Sequence, residues 1–145
     1  MITILLVRHA DVDLPPVTAD PSLNDAGRER AEALAHVAGS AGVTAVFTSS
    51  LARTKETVEP LLKLLGISAQ EMPAATTVAR RARAGELGSV VLIAGHSNTV
   101  PEVIAALGAP APVIGETQFD NLFVVTLTRA SSANLLTLKY AKPST

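Results

Sequence analysis

The chain has 145 residues, of which 48% are hydrophobic, 17% charged and only 3% aromatic, with no cysteine and no tryptophan. That length and balance suit one folded domain over residues 1–145 with an aliphatic core, and they exclude a disordered chain. The net charge of −1 supplies no global field for nucleic acid or an anionic membrane, and the missing cysteine excludes disulfides, thiolate catalysis and cysteine-type zinc sites.

The first apolar run, Ile2–Val7, reads as a strand buried on both faces. It is too short for a signal-peptide core or a membrane span, and no basic region or small-residue cleavage site accompanies it. With the chain opening at Met1, the cytoplasm is the expected compartment. A loop rich in Pro and Asp follows, then a helix with Asn24 as N-cap, ended by Gly39 or Gly42. Val43–Thr48 reads as a second strand. A second helix follows, capped by Ser49 or Ser50 and stopped at Gly66, with a kink or break expected at Pro60.

Ile67–Met72 reads as a short third strand. A modest helix then carries Arg80, Arg81 and Arg83, read as a solvated face in preference to a basic binding patch. Val90–Ala94 is a fourth buried strand, followed by Gly95, His96 and a helix from Thr99, where Pro101 falls in the first turn. Two further strands, Leu122–Thr128 and Asn134–Tyr140, form a pair joined by residues 129–133. This order predicts an α/β fold. It is a three-layer α/β/α sandwich with a mainly parallel central sheet and an antiparallel C-terminal strand pair.

Ligands of open α/β sheets bind beyond the carboxyl ends of the strands. Three strand ends here carry polar chemistry: Arg8 and His9; Ser49, Ser50 and the nearby Arg53; and His96, Ser97 and Asn98. A parallel sheet brings two arginines and two histidines to one mouth. Arginine forks match phosphoryl oxygens, and a neutral imidazole is an effective nucleophile at phosphorus. His36, in mid-helix without such neighbours, reads as structural.

The motifs "LVRHA", "TSSLART" and "AGHSNTVP", in this order and these strand–helix contexts, resemble the histidine phosphatase superfamily, the phosphoglycerate mutase-like group with its RHG or RHA signature. The length resembles its short, SixA-like members. The resemblance implies that His9 is the nucleophile and becomes phosphorylated. It implies that Arg8, Arg53 and His96 hold the phosphoryl group, that the Ser97 N–H donates to it, and that no metal or other cofactor takes part. The implied substrate is a phosphorylated small molecule or a phosphoprotein, including phosphohistidine.

The proton donor to the leaving group stays open. The superfamily places a Glu between the second Arg and the second His, or an Asp directly after that His; here Ser97 follows His96. Candidates are Glu71, at the end of the third strand, and Asp11 and Asp13 beyond His9; Glu86 and Asp120 are weaker ones. The short stretch from Arg53 to His96 predicts an open pocket and disfavours a mutase. Two other readings compete: a metal-dependent hydrolase using His9, His96 and Asp11, and a phosphate- or phosphoprotein-binding module without full activity.

Overall fold

A computed structural model describes residues 1–128 and 132–144. Ten elements follow one another: β1 (Ile2–Arg8), α1 (Asp25–Ala38), β2 (Ala45–Thr48), α2 (Ala52–Leu65), β3 (Gln70–Glu71), α3 (Ala75–Arg83), β4 (Val90–Gly95), α4 (Thr99–Ala106), β5 (Asn121–Leu127) and β6 (Ala133–Lys139). The strands form one sheet in the order β3-β2-β4-β1-β5-β6. β1 to β4 are mutually parallel, whereas β5 runs antiparallel to both β1 and β6. The expected sandwich is present. The expected link between the last two strands falls partly on residues 129–131, outside the described residues.

The apolar run of β1 is continuous because both of its faces are covered. Ile4 and Leu6 pack with Phe47, Ile93, Val78, Val103 and Ile104 on the α3/α4 side. Leu5 and Val7 pack with Leu34, Val58, Leu61 and Leu92 on the α1/α2 side. Alternation with a period of two therefore divides one strand between two cores.

Local chemistry explains most of the element ends. The Asn24 side chain accepts the Gly27 N–H at 2.9 Å, as an N-cap should. Gly66 ends α2 in the left-handed conformation, at φ 67°. The start of α2 departs from expectation: Leu51 is its N-cap residue and supplies no side-chain cap. Asp20, from the loop before α1, instead accepts the Ala52 N–H at 3.0 Å.

Pro60 does not break α2, which runs unbroken from Ala52 to Leu65. An interior proline costs about 3 kcal/mol. Here Thr54, Thr57, Val58 and Leu61 are all buried, on both sides of Pro60, and a break would expose them. The third strand is also shorter than expected, because it pairs only with the end of β2, at Phe47 and Thr48. The basic residues of α3 are partly engaged by the fold. The Arg83 guanidinium donates to the Leu107 carbonyl, and that of Arg81 lies 6.0 Å from the Phe47 ring centroid.

Candidate active site

The parallel register aligns three strand ends. Arg8 is the Cα partner of Gly95, and Thr48 is that of Ala94. One step further, the His9 N–H donates to the Gly95 carbonyl at 2.7 Å. His9 and His96 come to lie with ring centroids 5.4 Å apart. Arg8, His9, Arg53, His96, Ser97 and Asn98 line one open cavity of about 620 Å³, walled on the other side by the loop of residues 12–21.

Arg8 is 7% exposed, and its position is set by chain far away in sequence. Its Nη1 donates to the carbonyls of Gly115, Glu116 and Gln118 at 3.2, 2.7 and 2.9 Å. Its guanidinium carbon lies 4.1 Å from the Phe119 ring centroid. Its Nε is buried without a hydrogen-bond partner, and so is Nη1 of Arg53. Buried N–H donors left unpaired are costly, so both guanidinium groups keep hydrogen-bonding capacity that the described residues do not use. Among the described residues, the anion nearest to Arg53 is Asp20, with its Oδ1 3.8 Å from Nη1.

The imidazole of His9 is held from below. Its Nδ1 donates to the Ala10 carbonyl at 2.8 Å, which leaves Nε2 unprotonated in the neutral ring. The Ala10 N–H donates to Thr57 Oγ1, whose hydroxyl donates to the Arg53 carbonyl, tying β1 to α2. His96 Nε2 lies 2.9 Å from Ser49 Oγ, itself 2.8 Å from Thr54 Oγ1.

Burial pushes the His9 pKa down to about 4; the Arg8, His96 and Arg53 charges add to the shift, and the Ala10 carbonyl opposes it. Burial lowers His96 and Arg8 as well, and the neighbouring guanidinium charges act in the same direction on both. Two arginines thus face two neutral imidazoles at neutral pH.

A stability effect follows. Below pH 6.5 an unfolded chain protonates His9, whereas the folded chain refuses that proton until about pH 4. Protonation therefore favours unfolding, and the His9 contribution is complete above pH 6.5 and lost as pH falls towards 4. The loss is about 3 kcal/mol. Urea unfolding across this range should show a falling midpoint, and His9→Asn should flatten the slope.

The carboxylates foreseen near the site are distributed differently. Asp11 pairs with Arg30, Oδ1 to Nε at 2.6 Å. Asp13 accepts from Asn24 Nδ2 at 3.2 Å, and both aspartates line a separate cavity of about 410 Å³. Glu71 ends β3, is exposed, and lines a cavity of about 310 Å³ together with His96. Glu86 is exposed in the turn after α3. Burial of Asp120 would raise its pKa, but the Ser144 N–H and the Lys139 ammonium hold it below the ordinary carboxylate range. Among the described residues, no group of three or more His, Asp or Glu side chains is gathered as a metal-ligand set. The trio His9, His96 and Asp11 is not brought together.

Asp20, Thr57 and the carbonyl cage of residues 115–118 had no local signal. Asp20 stood among the turn-forming residues of a polar loop, and the carbonyls carry no side-chain signature at all.

The family model of the histidine phosphatase superfamily (branch 1) matches residues 4–76, half of the chain. The chain belongs to the histidine phosphatase superfamily. No curated protein matches it. Among solved structures, the protein histidine phosphatase SixA complexed with tungstate superposes with a TM-score of 0.77 at 19% identity, over 95% of this chain and 97% of that one. A mycobacterial glucosyl-3-phosphoglycerate phosphatase complexed with inorganic phosphate superposes with a TM-score of 0.70 at 17% identity, over 99% and 98%. At such identities the likeness is one of fold. The match to the histidine phosphatase model includes Arg8, His9 and Arg53 and ends before His96, which the sheet register brings to the same mouth.

Proposed function

We propose that this member of the superfamily is a phosphatase that acts without a metal and through a phosphohistidine intermediate. One observation carries the reading. Two arginines, each with a buried N–H that has no partner, line the same cavity as a desolvated, neutral imidazole whose Nδ1 is tied to a backbone carbonyl. In the first step the His9 Nε2 lone pair forms a bond to phosphorus. The bond from phosphorus to the leaving oxygen or nitrogen breaks, and its electron pair stays with the leaving atom. Arg8, Arg53 and His96 hold the phosphoryl oxygens, with the Ser97 N–H as a further donor. Water then attacks phosphorus, the N–P bond breaks with its electron pair returning to His9 Nε2, and phosphate leaves with the water's oxygen while the water's surplus proton passes to solvent.

Of Glu71, Asp11 and Asp13, only Glu71 lines a cavity that includes His96. Of these three it is the one best situated to protonate an oxygen leaving group. A leaving nitrogen brings its own basicity, so phosphohistidine needs less help. The substrate is a small phosphoester or a phosphohistidine, and the open mouth argues against a mutase. Among the described residues no helix is long and apolar enough to cross a membrane; the proposed setting is the cytoplasm, with neither nucleic acid nor membrane as partner.

The test is a hydrolysis screen over aryl phosphates, sugar phosphates, nucleotides and phosphohistidine. Turnover should survive EDTA and be inhibited by orthovanadate. Loss of turnover in EDTA, restored by a divalent cation, would reject the metal-free step. Phosphate binding without turnover of any compound would leave a binding module.

A further inference from the structure

The two arginines at the mouth are held in different ways. Arg8 is fixed by three backbone carbonyls and by the Phe119 ring. The hold on Arg53 is looser. Its Nη1 is buried without a hydrogen-bond partner among the described residues, and its ion-pair partner is Asp20, at 3.8 Å. Arg53 also faces a like charge: burial pushes the Arg8 pKa down, and the Arg53 charge pushes it down further. A long, flexible side chain repelled from one side needs a counter-charge to stay at the mouth before a phosphoryl group arrives.

Asp20 is built into that position. Its Oδ1, the atom that faces Arg53, also accepts the Ala52 N–H at 3.0 Å. Ala52 directly precedes Arg53, so the carboxylate is fixed against the backbone that carries the guanidinium. The same contact fastens the loop that walls the cavity to the first turn of α2. An N–H···O bond spans about 2.7–3.2 Å. At 3.8 Å the charge of Asp20 attracts Arg53 without taking the Nη1 donors that phosphoryl oxygens need.

We propose that Asp20 is a positioning residue that keeps Arg53 in place for the phosphoryl group. This rests on the phosphatase reading and deepens it. Asp20 acts through Arg53 and not on the reacting atoms. Without it, part of the free energy of binding is used to draw the guanidinium back to the mouth. Once bound, the phosphoryl oxygens hold Arg53 in the ground state and in the transition state alike. Loss of the Asp20 charge therefore raises KM and leaves kcat nearly unchanged. Direct repulsion between Asp20 and the phosphoryl group is the smaller effect, because Asp20 is half-exposed and solvent screens it.

Asp20→Asn keeps an oxygen for the Ala52 N–H and removes the charge. It should raise the Kd for orthovanadate, read by titration calorimetry, about 3- to 5-fold. KM for an aryl phosphate should rise by the same factor, with kcat within about 2-fold. The melting temperature should stay within about 2 °C, so that a change in affinity is not a change in folding. Arg53→Ala supplies the readout that a purely structural role would not move: in that background Asp20→Asn should change Kd by less than about 1.5-fold. An unchanged or lower Kd or KM in Asp20→Asn would overturn the proposal, and so would a penalty that persists without Arg53. If orthovanadate binds and neither a phosphoester nor phosphohistidine is turned over, the phosphatase reading fails, and the four Kd values alone decide the role of Asp20. If the wild-type protein binds neither orthovanadate nor phosphate, both readings fail.

Discussion

His9→Ala is expected to abolish turnover of an aryl phosphate while leaving the protein folded. Removing a covalent nucleophile costs on the order of 10⁶ in kcat where it has been dissected, and at least about 10⁴ is expected here. The arginines would still bind the phosphoryl group, so orthovanadate or phosphate binding should persist when turnover is gone. Folding is spared for a structural reason: the His9 ring faces the open cavity and belongs to none of the three buried apolar clusters. Its removal also relieves a desolvated ring crowded by Arg8, His96 and Arg53. Rapid quench with phosphorus-labelled substrate should trap a phosphoenzyme, labile in acid and stable in base, in the wild-type protein and not in the variant. Turnover within 10-fold of wild type would remove His9 from the nucleophile's role, whatever the fold.

The residues gathered at the mouth were legible in the sequence because each stands at, or a few positions beyond, the end of a buried strand. Ile2–Val7 announces a strand by composition, and Arg8 and His9 break its pattern. Once β1, β2 and β4 are parallel, their ends must meet, and Arg53 and His96 follow. What supports these residues was not legible. The cage around Arg8 comes from carbonyls 107 to 110 positions away. It exists because β5 runs antiparallel to β1: Leu122 pairs with Val7, so the loop before β5 passes over the carboxyl end of β1. Asp20 reaches α2 across 32 positions through its side chain alone. Pro60 misled in the opposite sense. Its local preference predicts an interruption, and the buried face of α2 outweighs it.

Asp11→Ala should cost about 3–5 kcal/mol of folding stability, the largest loss expected from any single carboxylate here. Arg30 is 3% exposed. Asp11 receives its Nε at 2.6 Å and its Nη2 at 3.4 Å, while Nη1 donates to the Tyr140 carbonyl at 3.0 Å. Truncating Asp11 leaves a buried guanidinium without its counter-charge, which is far more costly than never having had the pair. Against a total of about 5–15 kcal/mol, that is a large share, and the melting temperature should fall by about 10 °C. Replacing both partners together, as Asp11→Leu with Arg30→Met, should recover much of the loss, because neither charge then stays buried alone. Asp11→Asn separates this role from proton donation. A proton donor changed to amide loses about 10²–10⁴ in rate while the fold survives. For Asp11 the expected order is reversed: lower stability, and kcat within a few-fold at a temperature well below melting. The backbone supports the same assignment. The Asp11 carbonyl accepts the Asn24 N–H at 3.0 Å, and a Cβ on Gly27 would come within 2.2 Å of that oxygen. Side chain and backbone of Asp11 together fasten the exit of β1 to α1, two residues beyond the imidazole. Weakening that attachment should therefore loosen His9 and lower kcat within that few-fold range, while KM, set by the arginines that bind the phosphoryl group, changes less.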